Sequence, residues 1–576
     1  MIILLKRIFF ILAIQFVALT CSNINAQTVG SEIVYLQTDR TSYIAGEPIY
    51  YKMYVLDAAT KKSSEMSKVG YVVLRSVNFA PSLKIRVRIE AGMGNGSFVL
   101  PDTLTSGAYE IVAFTSAMKN SGEEHFFHKE ITIANRFDKA LDFKLVESTP
   151  KDSDLFQPQD SEFKIKTDKA VYGMREKVFV NLGKSNTKAT VSVSVFEEPK
   201  IPSRDKSIVE VSKSFVAAKN TQRTSIYHSP ETKGKILRAY VVDAKTQQTI
   251  KDAIVLLSCI DTIPNLQYAV TNSNGLFQML LSNYYNGKEL FLTIKDVPGN
   301  QNWQIIIEDE FAQSEKWNPT LIADNGNYKE FIVKSQNIVY INKSYQLNND
   351  TSDKLTIENK SICPQFYHCP ATTILPSDFV PLPDFLEIAV EILPQVRIIK
   401  EKGKYNAQVF NSLTKKFDVE NPAIFLDGVY VDDIDKIIRL GSDQIKKIDI
   451  IDTERAFGDL VFSGAISIIS KSNEIASTTP AFCSFRLKND SVNIGCGLIT
   501  INPDYIQNKN TPIFKQLLYW NPNLELNDTD ETHFEFYTSD NTANFIIKVE
   551  GISEDGTAIS ASSNIQVNNS VNVIGK

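Results

Sequence analysis

One phrase occurs twice in this chain and constrains its fold more than any other feature. Thr38-Asp39-Arg40, followed by Tyr43, Gly46, Glu47 and Ile49, returns as Thr167-Asp168-Lys169, followed by Tyr172, Arg175, Glu176 and Val178. A repeat at domain spacing predicts a modular array in which consecutive segments share one design. The copies differ at the turn, Gly46-Glu47-Pro48 in the first and Arg175-Glu176-Lys177 in the second. Short β-rich runs surround the first copy: Tyr50 to Val55, Tyr71 to Leu74, the alternating Lys84 to Ile89, Gly96 to Pro101, and Tyr109 to Ala113. With no helical period between them, they predict an antiparallel β-sandwich.

At 576 residues the chain holds several domains, about four or five on the usual size scale. A net charge of −6 argues against non-specific nucleic-acid binding, which needs a basic stripe. Lys6-Arg7 precedes an apolar run from Ile8 to Leu19, and Asn25-Ala26-Gln27 offers a small residue for cleavage. This is the pattern of a signal peptide over 1–26; an anchor helix is the competing reading of a run this short. Leu19-Thr20-Cys21 half-matches a lipobox, making Cys21 a lipidation candidate, but Thr20 is large for such a site and cleavage after Ala26 is expected. No later run reaches the length of a membrane helix, so the mature chain is expected to carry no transmembrane segment. The expected location is the periplasm or the outer-membrane periphery.

The Tyr43-x-x-Gly46-Glu47 phrase, with the later Gly107-x-Tyr109 strand, resembles the macroglobulin-type sandwich of the alpha-2-macroglobulin family over 27–135. A second, weaker macroglobulin-like sandwich is expected over 136–230, where Val191 to Val195 alternates and the rest trails into polar residues. Ile236 to Asp243, Ala253 to Leu257, and the turn at Asn274, Gly275 and Phe277 resemble a carboxypeptidase-regulatory-like β-sandwich over 231–310. That resemblance implies a spacer or binding support and no peptidase activity. Residues 311–378 read as a connecting β-rich region with a strand pattern at 331–342.

Near Pro383 the texture changes. An apolar helical stripe from Phe385 to Leu393 ends at Pro394. Leu426-Asp427-Gly428-Val429, Ile445-x-x-Ile448-x-Ile450 and Gly464-x-Ile466-x-Ile468 follow. That order, over 379–475, resembles the plug domain of TonB-dependent outer-membrane receptors and implies a small mixed sheet. A receptor barrel of ~22 strands needs at least ~220 residues. Roughly 105 follow Lys471, so no cognate barrel is expected here. The tail, 476–576, reads as a C-terminal β-sandwich from Leu517 to Trp520, Phe534 to Tyr537 and Phe545 to Gly551. The expected fold class is mainly β: tandem antiparallel sandwiches, macroglobulin- or immunoglobulin-like, with one small α+β plug-like domain.

Chemical motifs are sparse. Cys363 with Cys369, and Cys483 with Cys496, are candidate disulfides in an oxidising compartment. Zinc competes for the first pair because His368 adjoins Cys369, though no fourth ligand is evident. Cys259 reads as a buried strand residue. Gly495-Cys496-Gly497 resembles the start of the macroglobulin thioester motif, but Leu498-Ile499 replace its Glu-Gln, so the acyl partner is missing. His125 and His128 lie three apart in a strand-like run, where an odd offset turns their rings to opposite faces. Gly92, Gly94 and Gly96 read as a hairpin, and Asp432-Asp433 and Glu308-Asp309-Glu310 lack calcium-loop spacing. No catalytic residue, metal or cofactor is expected.

The expected function is a non-enzymatic cell-envelope scaffold or binding protein. It would dock outer-membrane or other envelope proteins, a TonB-dependent receptor system among them, through the plug-like domain and the sandwich edges. Candidate interface residues are Asp427 and Gly428, then Arg455, Phe457, Gly458 and Asp459. The alternative is a macroglobulin-like protease trap or inhibitor without a thioester.

Overall fold

The structure, a computed structural model, describes residues 31–76, 81–138, 163–199, 205–214, 228–295, 302–311, 327–345, 365–418, 421–472 and 484–569, a few single positions apart. The signal segment with Cys21 lies outside them. The fold is mainly β, built from sandwiches and one mixed sheet.

The first sandwich has a three-stranded sheet of Glu32–Thr38, Pro48–Asp57 and Met93–Val99. Facing it is a five-stranded sheet ordered Ser42–Ile44, Phe127–Ala134, Gly107–Thr115, Val69–Ser76 and Pro81–Arg88. Alternation sets the faces. Phe98 in one sheet and Val72, Ile111 and Ile131 in the other turn into a shared core, each large aliphatic side chain contributing about 1.5–3 kcal/mol when fully buried.

The repeated phrase is a hydrogen-bonded clamp, reproduced almost atom for atom. Tyr43 donates its hydroxyl to Asp39 Oδ1 (2.9 Å), which also accepts from Tyr50 N–H (3.0 Å). In the second copy Tyr172 donates to Asp168 Oδ1 (2.6 Å), which accepts from Phe179 N–H (3.0 Å). Glu47 Oε2 accepts from Ile44 N–H (2.9 Å) and Arg40 (2.7 Å). Correspondingly, Glu176 accepts from Gly173 N–H (2.6 Å) and from Lys169. The differing turn residue holds the same backbone role: Gly46 at φ +93° and Arg175 at φ +56° both lie in the left-handed region, which favours glycine. Arg175 is held there by its side chain, which forks onto Asp540 (2.7 and 2.6 Å) and donates to Asn508 O and Thr511 O (both 2.7 Å).

The second copy then departs from the linear map. Its six-stranded sheet is ordered Val171–Tyr172, Ala558–Val567, Asn544–Ser553, Ala189–Glu197, Leu517–Leu526 and Ile499–Thr500. The opposing sheet is Thr532–Tyr537, Lys177–Leu182 and Ile165–Thr167. Apart from the added edge strand Ile499–Thr500, this repeats the first sandwich strand for strand, including the parallel pairing of second and last strands, Ser42↔Thr132 there and Val171↔Gln566 here. The segments read separately as 136–230 and 476–576 are therefore two halves of one sandwich. The second copy looked weak because its strands five to eight arrive after a long insertion.

The insertion is itself nested. A middle sandwich pairs Lys235–Asp243 with Leu276–Leu281 and Trp303–Ile307. Its other sheet runs Leu266–Val270, Ile254–Cys259, Glu289–Ile294 and Phe485–Lys488, so its last strand also comes from the segment read as C-terminal. Within it lies a mixed unit, residues 365–472, whose five-stranded sheet is ordered Thr372–Ile374, Ile445–Ile451, Ala465–Ser470, Ala423–Leu426 and Val429–Val431. Ala423–Leu426 runs parallel to Ala465–Ser470. Helix Phe385–Ile392 packs Phe385, Ile388 and Ile392 inward, and its N-cap Asp384 accepts from Glu387 N–H (2.9 Å).

The strand expected at 331–342 is instead helix Asn327–Ser344. Ser335, Ile338 and Asn342 share one face at spacings of three and four, whereas short apolar runs such as Ile338 to Ile341 fit either period.

Buried charge joins the two copies. Asp205 accepts from Lys129 of the first sandwich and Lys548 of the second, both at 2.6 Å. Lys548 also lies 3.4 Å from Glu550, which takes Ile208 N–H at 3.0 Å. Burial alone would raise the Asp205 carboxyl, but the two ammonium groups hold it well below its ordinary range. Removing one member of such a node typically costs about 3–5 kcal/mol because a charge is stranded. Asp205→Ala is expected to lower unfolding free energy by an amount of that order in denaturant melts. A fragment ending at residue 230 is expected to protect amides in 31–135 and leave 163–197 exchanging freely, read by hydrogen exchange. Protection of 163–197 in that fragment would contradict the shared sandwich.

Candidate functional site

Of the residues singled out as a candidate interface, Asp427 and Gly428 are buried, Arg455 and Phe457 are half-buried, and Gly458 and Asp459 are exposed. Asp427 and Gly428 form the tight turn between Ala423–Leu426 and Val429–Val431, with φ +51° and +84°, as a two-residue primed hairpin turn requires. The Asp427 carboxylate is buried and accepts from Ser470 N–H (2.7 Å) and Ser470 Oγ (2.8 Å). Its carbonyl takes Asp261 N–H from the middle sandwich (3.0 Å). A Cβ at Gly428 would lie 2.7 Å from Asp261 N and O, so only glycine permits this approach. Arg455, Phe457, Gly458 and Asp459 form the hairpin Arg455–Phe457/Leu460–Phe462. It rests on Tyr268: Phe457 packs edge-on at 5.8 Å between ring centroids, and Asp459 N–H donates to the Tyr268 hydroxyl (3.1 Å). Both segments thus meet the middle sandwich of their own chain. The seam is apolar, with Leu256 and Leu266 sharing a core with Phe425, Tyr430 and Phe462.

Cys363 and Cys483 lie outside the described residues, and both proposed pairings with them. Cys369 is exposed. Cys496 lies in a loop rather than a strand, buried between the two copies. Its N–H donates to Asn95 Oδ1 (2.8 Å) and its thiol to Gly96 O (3.4 Å). Burial pushes that thiol up to about 11, the state of an inert structural cysteine. His128 sits in Phe127–Ala134 with Nδ1 2.9 Å from Glu110 Oε1 and Nε2 3.2 Å from Glu123 O, so both ring nitrogens are engaged. His125 ends a short 3-10 turn instead of lying in the strand. Glu308 and Glu310 are committed to cations: Arg238 Nε at 2.9 Å for the first, Arg86 and Lys235 (2.9 Å) for the second. Asp432 pairs with Lys436 (2.5 Å) and Asp433 caps Asp435 N–H (2.9 Å).

What sequence reasoning missed lies at the junctions, where residues distant in the chain converge. Between the first and middle sandwiches, Glu231 is buried and accepts from the Tyr71 hydroxyl (3.0 and 2.9 Å) and Ile236 N–H (2.7 Å). Burial, then the neighbouring Glu310 charge, push its carboxyl up to about 7. Between the two copies, helix Asn327–Ser344 roofs a cavity of about 300 Å³ floored by the first clamp, at Arg40, Glu47 and Tyr50, and by Phe514 to Leu517. Only the clamp was marked in the sequence.

No family model matches the chain, and no curated protein matches it in sequence. Among solved structures it aligns with Salmonella alpha-2-macroglobulin reacted with methylamine at 8% identity, covering 94% of this chain and 23% of that one, TM-score 0.16. Trypsin-activated alpha-2-macroglobulin from Escherichia coli aligns at 11%, covering 95% and 42%, TM-score 0.24. The Yersinia pseudotuberculosis adhesin InvE aligns at 10%, covering 48% and 58%, TM-score 0.13. The chain spans less than half the length of these macroglobulins, 23% and 42%. Scores and identities this low bear on neither relationship nor activity. Among the described residues no helix is long and apolar enough to cross a membrane.

The Glu231 junction makes stability depend on pH. Folded Glu231 holds its proton up to about pH 7, whereas the ordinary value is 4.5. Its favourable contribution is complete below the ordinary value and lost as pH rises towards 7, because the unfolded chain then binds fewer protons than the folded one. Glu231→Gln is expected to flatten the decline in melting temperature between about pH 5 and 7. An unaltered slope in thermal melts across that window would refute this.

Proposed function

We propose that this chain is a non-enzymatic scaffold or binding protein of the cell envelope, and that the mixed unit resembling a receptor plug presents its partner-binding surface. One observation carries the reading. Leu375, Phe379, Val380 and Val390 are 44%, 47%, 75% and 74% exposed along the approach to helix Phe385–Ile392 and on its outer face. Large apolar side chains concentrated in one short segment are a usual mark of an interaction surface. The Asp427–Gly428 turn and the Arg455–Asp459 hairpin act differently in this reading. They fix the unit on the middle sandwich, so the apolar segment is held at a constant orientation. Partners would be outer-membrane or other envelope proteins, a TonB-dependent receptor system among them.

Deleting the whole unit would bare Leu256 and Leu266 of the middle sandwich, so point substitutions test the idea more cleanly. The protein is expected to retain, from envelope extract, a partner that rebinds it after purification. Val380→Glu with Val390→Glu is expected to weaken that binding at least about tenfold, the loss of one good contact, while leaving the melting temperature unchanged. Equal binding by the double variant would sink the reading. Discrete cleavage of the protein by an added protease, with the protease retained, would favour the trap alternative instead.

A further inference from the structure

The charged node between the two copies holds an amine against a carboxyl almost out of reach of water. Asp205, just ahead of helix Ile208–Ser214, accepts from Lys129 Nζ at Oδ1 and from Lys548 Nζ at Oδ2, both at 2.6 Å. Lys129, Lys548 and Glu550 are all buried. Lys548 and Glu550 lie two apart in Asn544–Ser553, so their side chains leave the same face of the strand, and Lys548 Nζ is 3.4 Å from Glu550 Oε1. Glu550 is otherwise held by Ile208 N–H at Oε2 (3.0 Å) and by the Ser560 hydroxyl at Oε1 (3.1 Å). The Tyr35 hydroxyl, near enough to feel both carboxyls, is kept protonated by burial.

The two lysines are not equivalent. Burial lowers the Lys129 ammonium below its ordinary range, and the Asp205 charge offsets this only in part. Lys548 is raised despite its burial, because it faces two carboxyls, Asp205 and Glu550. Lys129 is therefore the readier to give up a proton, and Lys548 stays charged beside Asp205 Oδ2. Passing that proton along the 2.6 Å bond to Asp205 turns a desolvated ion pair, which is costly to bury, into a neutral amine beside a neutral acid. Holding the two in contact replaces a chance encounter by a unimolecular step. The Lys548 cation is placed to stabilise negative charge developing on Oδ2 as the amine adds.

We propose that Lys129 and Asp205 condense to an isopeptide bond, which staples the last strand of the first sandwich to the chain leaving Ala189–Glu197 of the second. Lys129 Nζ bonds to Asp205 Cγ and the Cγ–Oδ1 bond breaks. That oxygen leaves as water, carrying two protons from the Lys129 ammonium, so no oxidant or co-reactant is required. Oδ2 becomes the amide carbonyl oxygen, still facing Lys548, whose charge remains answered by Glu550.

Mass spectrometry of the full protein, denatured and digested with trypsin, tests the bond directly. The expected product is a branched peptide carrying both Lys129 and Asp205, one water lighter than its two linear parts. Lys129→Arg keeps the cation but offers no free amine, so it is expected to abolish the branch and restore the water. Should that variant fail to fold, the wild-type digest decides alone. Lys129 and Asp205 recovered only in separate linear peptides of the folded wild-type protein, or a branch at Lys548 in place of Lys129, overturns the proposal.

Discussion

The fold depends on one strand pairing. Ala189–Glu197 lies between Asn544–Ser553 and Leu517–Leu526, with Val193 opposite Val549 on one side and Asn521 on the other. Until that strand is flanked, its alternate residues Val191, Val193 and Val195 have no opposing core. Closing a loop of this length costs entropy, but the cost grows only logarithmically with length. A long insertion is tolerable if it folds compactly and returns its ends close together. The middle sandwich does so by taking its own last strand, Phe485–Lys488, from the far side of the mixed unit. Each layer of nesting is thus closed by a late strand pairing with an early one.

Polar chemistry at the junctions then fixes how the layers sit. Asp205 bridges Lys129 and Lys548, Tyr54 donates to Glu550 O (2.9 Å), and Asn493 donates through Nδ2 to Ser97 O (2.8 Å). Apolar contact is indifferent to small rotations, whereas a desolvated ion needs its partner at one distance and angle, so such nodes select an orientation more than they add stability. The clamps show the same physics under two exposures. Burial raises the Asp39 carboxyl to about 6. Asp168 is lowered because the Tyr172 and Phe179 hydrogen bonds outweigh its slight desolvation.

Much of the local structure was legible from residues alone. β-Rich runs, one of them alternating at Lys84 to Ile89, located five strands of the first sandwich, Asp427-Gly428 announced its turn, and the stripe from Phe385 to Leu393 announced its helix. The helix at Asn327–Ser344 was misread because its apolar runs are short enough to satisfy both periods. Asp427 and Gly428, marked as a candidate interface, are buried against Asp261 of the same chain. A turn glycine that allows a ligand's approach and one that allows a neighbouring backbone's approach look the same in sequence, and only the position of Asp261 separates them. The junction cavity was invisible, since Arg40, Asn342 and Gln516 share no local pattern.

By itself, the sequence determined the modules' character: the duplicated clamp, the strand-rich segments, the mixed unit between residues 379 and 475 and the missing thioester partner beside Cys496. These follow from near-neighbour physics, namely side-chain alternation, turn conformation and the identity of a reacting group. Only the tertiary structure decided which strands belong to which sandwich, that the second copy is completed by 517–567, and that the two marked loops are seams. Pairing between distant strands is chosen by the total burial and hydrogen bonding of the closed assembly, a quantity no window of sequence contains.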